Sequence, residues 1–477
     1  MIKNGLQRLS GKHFVLSVPR LAPLLLVTLV GGCSQFEPMQ RPHVAMPTEW
    51  VAATGSTPSR TAHPGSPAAW DALVAEPALK ALVTRALANN RDARVAALQV
   101  AQLRAQAEAR DAARWPTVNA GLTSSRQTVG QNEPIRSTLT GGVQITAWEI
   151  DFFGRLESVK EAALAQYLAA EQSQHSTRLS LVAGVASAWL NLQATERLLA
   201  LTQQTLTNRE EALRLVSLRH QNGVASSLDL RQAESLVASA QVTLVQQQRQ
   251  RALDRSTLAW LVGQPVDQPM DESALRPVGN LGQALAEVAV GMPSGVLLDR
   301  PDVRAAEQQL AAAQANVGAA RAAFFPRVSL TASLGSASSE LSGLFKGGTW
   351  GWALAPQALL PLWDGGVNQA NLVAAQTARE VAVAQYEKAI QTAFREVNDA
   401  LVTRTSLAEQ LQAQSTLVAA EAERVRLSEL RLRQGVSAQL EVLDAQRSLF
   451  AAQQALLQVE TAQLLNRVAL FKATAGY

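Results

Sequence analysis

Two stretches of the chain alternate between apolar and polar side chains, one over residues 116–149 and the other over residues 326–362. A period of two is typical of strands with one apolar and one polar face, so each stretch predicts a pair of strands. A small soluble sheet packed on a helix has the same alternation, and periodicity alone leaves that alternative open. The apolar positions are Val118, Ala120, Leu122, Leu139, Val143, Ile145 and Ala147 in the first stretch and Val328, Leu330, Ala332, Leu334, Trp350, Trp352 and Leu354 in the second.

Each strand pair is followed by a long stretch without proline, from about residue 155 to 220 and from about 367 to 433. At a rise of 1.5 Å per residue, an unbroken helix over either stretch is roughly 100 Å long. Leucines recur every seven residues, with Arg, Gln and Glu between them, which predicts long bundles with coiled-coil-like packing. These leucines are Leu199, Leu206 and Leu213.

The residues after each long helix predict a tight turn and a second helix that runs back. Gly223 and Gly435 suit the left-handed conformation that commonly ends a helix. Ser226 or Ser227 in the first turn, and Ser437 in the second, are candidate N-caps for the returning helices. Each half of the chain therefore predicts a helical hairpin.

The sequence repeats itself at a spacing of about 210 residues. Three pairs of similar strings occur in the same order, which chance similarity between Ala-rich helices does not readily produce. The chain is therefore predicted to contain two copies of one structural unit. Each copy consists of a helix, a strand pair, a very long helix, a turn and another long helix. The pairs are Asn90–Ala97 with Arg300–Ala306, Ala113–Val118 with Ala323–Val328, and Arg214–Val224 with Arg426–Val436.

The strand count predicts an oligomer. No apolar run after the N-terminal segment is long enough for a spanning helix, so any membrane crossing is expected to use strands. One chain supplies four strands, whereas a closed barrel in a bilayer needs at least about eight. Two copies give about eight strands around a filled interior, while three give about twelve strands and leave a lumen. We therefore expect a homotrimer.

The N-terminal segment, residues 1–32, is predicted to be a lipoprotein signal peptide. Basic residues precede an apolar run at 21–30, which is much shorter than the roughly 20 residues of a spanning helix. Small residues then lead into Cys33, the only cysteine of the chain, so we expect a lipid on its thiol. An uncleaved membrane anchor is the alternative. Ser34 stands where an Asp would resemble an inner-membrane retention signal, which favours the outer membrane.

Charge and motif content exclude several function classes. Residues 1–32 hold four of the 43 basic residues and no acidic ones, so their removal leaves 39 basic against 39 acidic residues. A neutral chain without a basic, aromatic-rich patch is not expected to bind nucleic acid. The five histidines lack metal-ligand spacing, and no catalytic triad or phosphate loop is recognisable. We expect no enzyme, metal or cofactor, apart from the covalent lipid.

Several short strings are spread over the mature chain: Arg41-Pro42 with Pro47 and Trp50, then Trp148–Arg155, Leu298–Glu307, Pro361–Gly366 and Leu440–Arg447. Together they resemble the outer-membrane factor family of TolC and OprM type, in particular its lipoprotein (NodT-type) branch. The resemblance implies a trimer with a twelve-stranded transmembrane β-barrel, a long α-helical barrel that reaches through the periplasm, and a mixed equatorial domain. It also implies a periplasmic adaptor and an inner-membrane efflux transporter as partners.

The resemblance further assigns a periplasmic gate to Leu440, Glu441 and Asp444 in the second hairpin. The two carboxylates lie three residues apart on one helical face, so threefold symmetry brings up to six of them into a ring that favours cations. Leu440 adds an apolar constriction. The alternative is that acidic residues in the first turns of a helix merely complement its dipole. Arg231, in the first hairpin, is a possible gate partner or a solvated surface charge.

Together these observations predict an α+β membrane protein that acts as the passive outer-membrane channel of a tripartite efflux pump. A structural or adhesive coiled-coil outer-membrane lipoprotein is the alternative, although it has no need of two equivalent strand pairs. A periplasmic adaptor is less compatible with the repeat. The predicted division is 1–32 signal peptide, 33–68 linker and equatorial segment, 69–115 helices, 116–149 strand pair, 150–265 helical hairpin, 266–300 equatorial segment, 301–325 helix, 326–362 strand pair and 363–477 helical hairpin.

Overall fold

The structure is a computed structural model that describes residues 42, 70–128, 135–263, 281–286 and 294–475. The predicted signal peptide, Cys33 and almost all of the linker over 33–68 lie outside the described residues. The strands are β1 Val118–Gln127, β2 Arg136–Ile150, β3 Arg327–Ser338 and β4 Trp350–Leu359, and the helices are α1 Trp70–Leu73, α2 Pro77–Asn89, α3 Arg91–Ala112, α4 Arg155–Gln221, α5 Ser227–Val262, α6 Pro301–Ala322, α7 Val367–Arg433 and α8 Gln439–Ala473.

The described residues divide into two compact units. The sheet unit contains Ala113–Val159 and Val317–Leu372, and the helical unit contains Lys160–Asn316, Val373–Tyr477 and the residues that precede Ala113. The strand pairs and the long helices that the sequence predicts are therefore present. No helix in the described ranges combines the length and the apolar content needed to span a bilayer.

The sheet is antiparallel, its strand order is β1-β2-β3-β4, and its two faces differ in polarity. Val143 lies beside Leu334 in the register, and Leu334 lies beside Trp352, so apolar side chains share one face across the strands. The opposite face carries polar residues such as Thr123, Gln144 and Ser333. We call these the apolar face and the polar face. The apolar face is exposed, as Trp352 shows with 77% of its surface accessible.

The predicted alternation fails at one place in β2. The register between β2 and β3 shifts between Ile145 and Trp148, and Ala147 has a φ of 49°, which is uncommon for a residue other than glycine. The Trp148 indole N–H donates to the Arg114 carbonyl at 2.9 Å, and the Ala147 amide donates to the Thr331 hydroxyl at 3.1 Å. The bulge thus re-aims Trp148, and the prediction that Ala147 continues the apolar positions is wrong.

Glycines allow β2 and β3 to approach closely. A Cβ added to Gly142 would lie 2.3 Å from the Leu334 carbonyl oxygen, and one added to Gly335 would lie 2.3 Å from that of Gly141. Gly142 and Gly335 pair with each other and belong to the polar face. This close approach of the two backbones indicates that the sheet curves toward its polar face. Small residues on that face line a hollow of about 330 Å³.

Both strand pairs pass into their long helices through an aspartate cap. The Asp151 carboxylate accepts from the Arg155 amide at 2.8 Å, and the Asp364 carboxylate accepts from the Asn368 amide at 2.8 Å. These bonds satisfy amides at the helix N-terminus that have no partner within the helix. The hydrogen bond from the Asn368 amide is the main reason that the pKa of Asp364 lies below its ordinary value.

Side chains around the first cap fix the same junction. Arg155 donates two bonds, of 2.7 and 2.8 Å, to the Glu149 carboxylate, and this pairing raises the pKa of Arg155. Arg327 also lies 3.4 Å from Glu149. The ring of Phe153 stacks on that of Phe325 with centroids 4.9 Å apart, which joins the β2–α4 junction to the connection between α6 and β3. The Trp148–Arg155 string is therefore explained by this local geometry.

The two hairpin turns have the same backbone geometry. Gly223 and Gly435 have φ values of 72° and 71°, which confirms the predicted left-handed caps. In both turns the residue after the glycine donates its amide to the carbonyl five residues earlier, the pattern of a Schellman motif.

The caps of the returning helices differ between the turns. Ser226, rather than Ser227, is the N-cap of α5 and forms a reciprocal capping box with Asp229. The prediction for Ser437 is wrong, because the N-cap of α8 is Ala438, which offers no side-chain bond. The Ser437 hydroxyl instead donates to the Glu441 carboxylate at 2.5 Å.

The core of the helical unit lies where the middle of α4 passes the shorter helices. Trp189 is fully buried there together with Leu79 of α2, and Ile390 of α7 belongs to the same cluster with 1% exposure. A buried aromatic side chain of this size removes a large apolar area from water, so this region stabilises the helical unit most strongly.

Two buried polar residues tie the shorter helices to the returning helices. Asn90 accepts from the Asp92 amide at 2.9 Å and donates to the Leu261 carbonyl at the end of α5, also at 2.9 Å. Arg300, directly before α6, donates to the Ala473 carbonyl at the end of α8 at 2.6 Å. Asn90 and Arg300 occupy equivalent places in the predicted repeat, and each is only 4% exposed.

We predict that Gly142→Ala destabilises the sheet, because the added methyl group overlaps the Leu334 carbonyl. Overpacking of this kind costs about 1–3 kcal/mol. Gly121→Ala is the matched control, since a Cβ there meets only the Gln144 amide at an ordinary 3.8 Å. Thermal unfolding of the detergent-solubilised protein should show a lower midpoint for Gly142→Ala alone. Equal midpoints for the two variants would contradict the close approach.

Candidate functional site

The predicted gate residues lie in the first turns of α8, directly after the second hairpin turn. Leu440 has 49% of its surface exposed, and Val436 in the turn has 67%. A helix start places the side chains of Glu441 and Asp444 on neighbouring positions of one face. The structure therefore brings an exposed apolar residue and two carboxylates together at one end of the hairpin.

Asp444 is held between two arginines. One carboxylate oxygen accepts from Arg424 of α7 at 2.5 Å, and the other accepts from Arg447, one turn further along α8, at 2.6 Å. Arg424 also lies 3.1 Å from Glu421. The Arg424–Asp444 pair connects the two helices of the hairpin. All of these side chains except Glu421 are about 40% exposed or more, so the pair acts mainly through position and net charge.

Glu441 also has a partner across the turn. Its carboxylate lies 3.3 Å from the Arg431 guanidinium of α7 and accepts from the Ser437 hydroxyl. Arg431 is the residue whose carbonyl accepts the amide of Val436 in the turn. The Glu441 pair therefore reinforces the turn itself, whereas the Asp444 pair lies further into the hairpin.

These contacts change the expected electrostatics of a carboxylate ring. Each carboxylate has at least one arginine partner in its own chain, so Glu441 and Asp444 bring no uncompensated negative charge to the turn. Within one chain, the second hairpin turn is therefore charge-balanced rather than strongly anionic.

The first hairpin turn uses its polar residues differently. Asp229, at the place equivalent to Glu441, is engaged in the capping box with Ser226, and the hydrogen bond from Ser226 is the main reason that its pKa lies below the ordinary value. Arg231 pairs with Glu234 of the same helix at 2.7 Å and is 76% exposed in its side chain. Within one chain, Arg231 therefore belongs to a surface pair on α5.

A buried arginine links the two hairpins. Arg209 of α4 is 5% exposed, donates to the Leu236 carbonyl of α5 at 2.9 Å, and lies over the ring of Phe450 of α8 at 5.2 Å. Burial lowers the pKa of Arg209, whereas the carbonyl and the aromatic face favour its charged form. The first hairpin thus contacts α8, the helix that carries the predicted gate residues.

Sequence reasoning missed Arg424, Arg431 and Arg209. A signal for the first two exists, because residues at similar distances before and after a hairpin turn face each other across it. Arg424 stands eleven residues before Gly435, and Asp444 stands nine after it. No comparable signal exists for Arg209, since nothing in its string shows which helices pack around it.

The family model for outer membrane efflux proteins matches the chain over residues 82–264 and again over residues 292–476. The chain is 41% identical over 455 residues to a toluene efflux pump outer membrane protein, TtgC of Pseudomonas putida, with 94% of this chain and 93% of the relative covered. The antibiotic efflux pump outer membrane protein ArpC of Pseudomonas putida gives the same identity and coverage.

The fold also resembles that of solved channels. The open state of the MtrE outer membrane channel of Neisseria gonorrhoeae matches with a TM-score of 0.83 at 35% identity, and the match covers 93% of this chain and 98% of that one. Both matches of the family model lie in the regions that form the helices and the sheet described above. As the resemblance of its short strings predicts, the chain belongs to the outer membrane efflux protein family.

Proposed function

We propose that this chain is the outer-membrane channel of a tripartite efflux pump and passively conducts small molecules. The observation that carries the proposal is the two-faced sheet, whose apolar face is exposed in the single chain while its polar face is concave. An exposed apolar face of this kind suits contact with lipid, and a polar concave face suits a water-filled lumen. Relatives named for toluene and antibiotic efflux support small organic molecules as the cargo class.

The sheet requires further copies of the chain to close. In the described residues it ends at β1 on one side and at β4 on the other, and an open edge is not tolerated in lipid. A homotrimer closes a twelve-stranded β-barrel with a lumen, and the long helices then form an α-helical barrel in the periplasm. The internal repeat is supported by helices of equal length, with 67 residues in both α4 and α7 and 22 in both α3 and α6.

The proposed partners are a periplasmic adaptor and an inner-membrane transporter that supplies the energy. Both hairpin turns expose apolar side chains, at Val224 and Leu228 in the first and at Val436 and Leu440 in the second. Exposed apolar residues at the tip of a helical hairpin offer a contact surface for another helical protein. A coiled-coil structural lipoprotein, the alternative, does not account for a four-stranded sheet with an apolar face.

The proposed gate consists of Leu440, Glu441 and Asp444 from each copy, with Arg424 and Arg447 as charge partners. Three second-hairpin turns can approach the channel axis because each carboxylate is neutralised within its own chain. Removal of the charge of either Asp444 or Arg424 leaves a net charge at every turn. Three like charges around one axis repel one another. Arg231 pairs with Glu234 in its own chain, and its proposed role is limited to a contact with a neighbouring copy.

We predict that Asp444→Asn and Arg424→Gln both raise single-channel conductance in planar bilayers but shift ion selectivity in opposite directions. Asp444→Asn leaves uncompensated arginines and should reduce cation preference. Arg424→Gln leaves Asp444 with Arg447 alone and removes the positive charge beside Glu421, so it should increase cation preference. Arg426→Gln is the matched control, because it removes the same charge from an exposed pair with Glu423 that lies within α7.

Wild type should show a small conductance, and the control should resemble it. Unchanged conductance in both gate variants, with insertion verified, would exclude these residues as the gate. Absence of any conductance in all variants would contradict the channel itself and favour a structural lipoprotein.

The lipid anchor on Cys33 and the division into nine segments stay predictions. Because Cys33 is the only thiol of the chain, Cys33→Ser should abolish incorporation of radiolabelled palmitate, and the precursor should keep residues 1–32. Autoradiography of the membrane fraction measures the incorporation of palmitate, and mass spectrometry shows whether residues 1–32 are kept. Palmitate incorporation that persists in Cys33→Ser would show that the lipid is attached elsewhere.

A further inference from the structure

The turn between β3 and β4 folds back onto the sheet. Leu344 in this turn is 1% exposed, and a Cβ placed on Gly141 would lie 3.3 Å from a Leu344 methyl carbon. The Ser336 hydroxyl donates to the Leu344 carbonyl, and the Thr349 hydroxyl donates to the Lys346 carbonyl at 2.8 Å. A buried side chain and these bonds fix the turn in place.

The register shows which face the turn covers. Gly141 pairs with Leu122 of β1 and with Ser336 of β3, so these three positions belong to the same side of the sheet. That side is the apolar face, because Val143 and Leu334 follow at the next positions in phase. Leu344 therefore packs on the apolar face, near the centre of the sheet and away from the edges that further copies would occupy.

Large apolar side chains in this turn and beside it are exposed. Phe345 is 83% exposed and Leu341 is 62% exposed, and Trp350 at the start of β4 is 66% exposed. Further along the same face, a groove of about 300 Å³ continues the apolar surface. Its apolar lining includes Val118, Val143, Ile145, Leu334, Trp352 and Leu354.

We infer that this turn is a lipid anchor, with Leu341 and Phe345 inserted into the leaflet at the end of the sheet away from the strand-to-helix junctions. The inference rests on the proposed function, because it takes the apolar face as the one that meets the bilayer. Continuity of the turn with that face identifies lipid as the occupant. Glu340 and Lys346 have opposite charges, so the contact depends on acyl chains more than on charged headgroups.

The position also has a consequence for conduction. A turn bound to the apolar face lies on the outside of a closed barrel and does not cover its mouth. The turn therefore anchors the barrel in the membrane and takes no part in gating.

Quenching of site-specific fluorophores by spin-labelled phosphatidylcholine tests the inference in proteoliposomes. Fluorophores are attached to Phe345→Cys, Leu354→Cys and Ser125→Cys in the full chain, and the unsubstituted protein gives the background from Cys33. Leu354 marks the apolar face, and Ser125 marks the polar face near the same rim. We expect nitroxides near the headgroup to quench the Phe345 label and deeper ones to quench the Leu354 label, while aqueous iodide quenches the Ser125 label.

The outcomes separate the anchor from the channel. If the Leu354 label is quenched by lipid and the Phe345 label responds only to iodide, the anchor is wrong and the channel stands. If neither label is quenched by lipid, the sheet is not in the bilayer and the proposed function fails.

Gly141→Val provides a second test, because its side chain crowds Leu344, whose nearest methyl carbon lies 3.3 Å from the Cβ position, as well as Leu122 at 3.2 Å. It should lower lipid quenching of the Phe345 label and leave that of the Leu354 label unchanged. Unaltered quenching of the Phe345 label in a folded Gly141→Val protein would contradict the docking of the turn.

Discussion

The backbone hydrogen-bonding groups at the outer edges of β1 and β4 determine how this sheet can lie in a membrane. A four-stranded sheet that ends at these edges cannot lie in hydrocarbon as a single copy, because unpaired backbone groups are costly there. Curvature toward the polar face, which Gly142 and Gly335 permit, brings such edges from separate copies toward closure. In the proposed channel the sheet therefore needs further copies of the chain, and its curvature leaves a lumen between them.

The two halves of the chain have some junctions in common and differ at others. Asp151 and Asp364 cap the long helices in the same way. Asn90 and Arg300 each donate to a carbonyl at the end of a returning helix, Asn90 through its amide and Arg300 through its guanidinium. The two hairpin turns have the same backbone conformation, but their side chains form different contacts. In the first turn, Asp229 takes part in the capping box of α5. In the second turn the N-cap is Ala438, and Glu441 and Asp444 form ion pairs with Arg431 and Arg424 of α7.

Much of this fold was predictable from the sequence, because strands and long helices impose strong periods on their side chains. The Val118–Leu122 alternation and the proline-free stretches identify their elements directly. Local competition between hydrogen bonds was not predictable: Trp148 re-aims β2 at a bulge, and Ser437 bonds Glu441 instead of capping α8. The arginine partners of the gate carboxylates and the docking of Leu344 depend on packing between distant segments, which periodicity does not encode.

Native mass spectrometry determines whether three copies of this chain close one barrel. The protein is extracted from the outer membrane and released from detergent, so that the copies are counted directly. We expect a single dominant species with the mass of three mature chains, and dissociation on heating should coincide with loss of β structure. A species of two chains, or a folded monomer that retains the sheet in lipid, would exclude the proposed trimer.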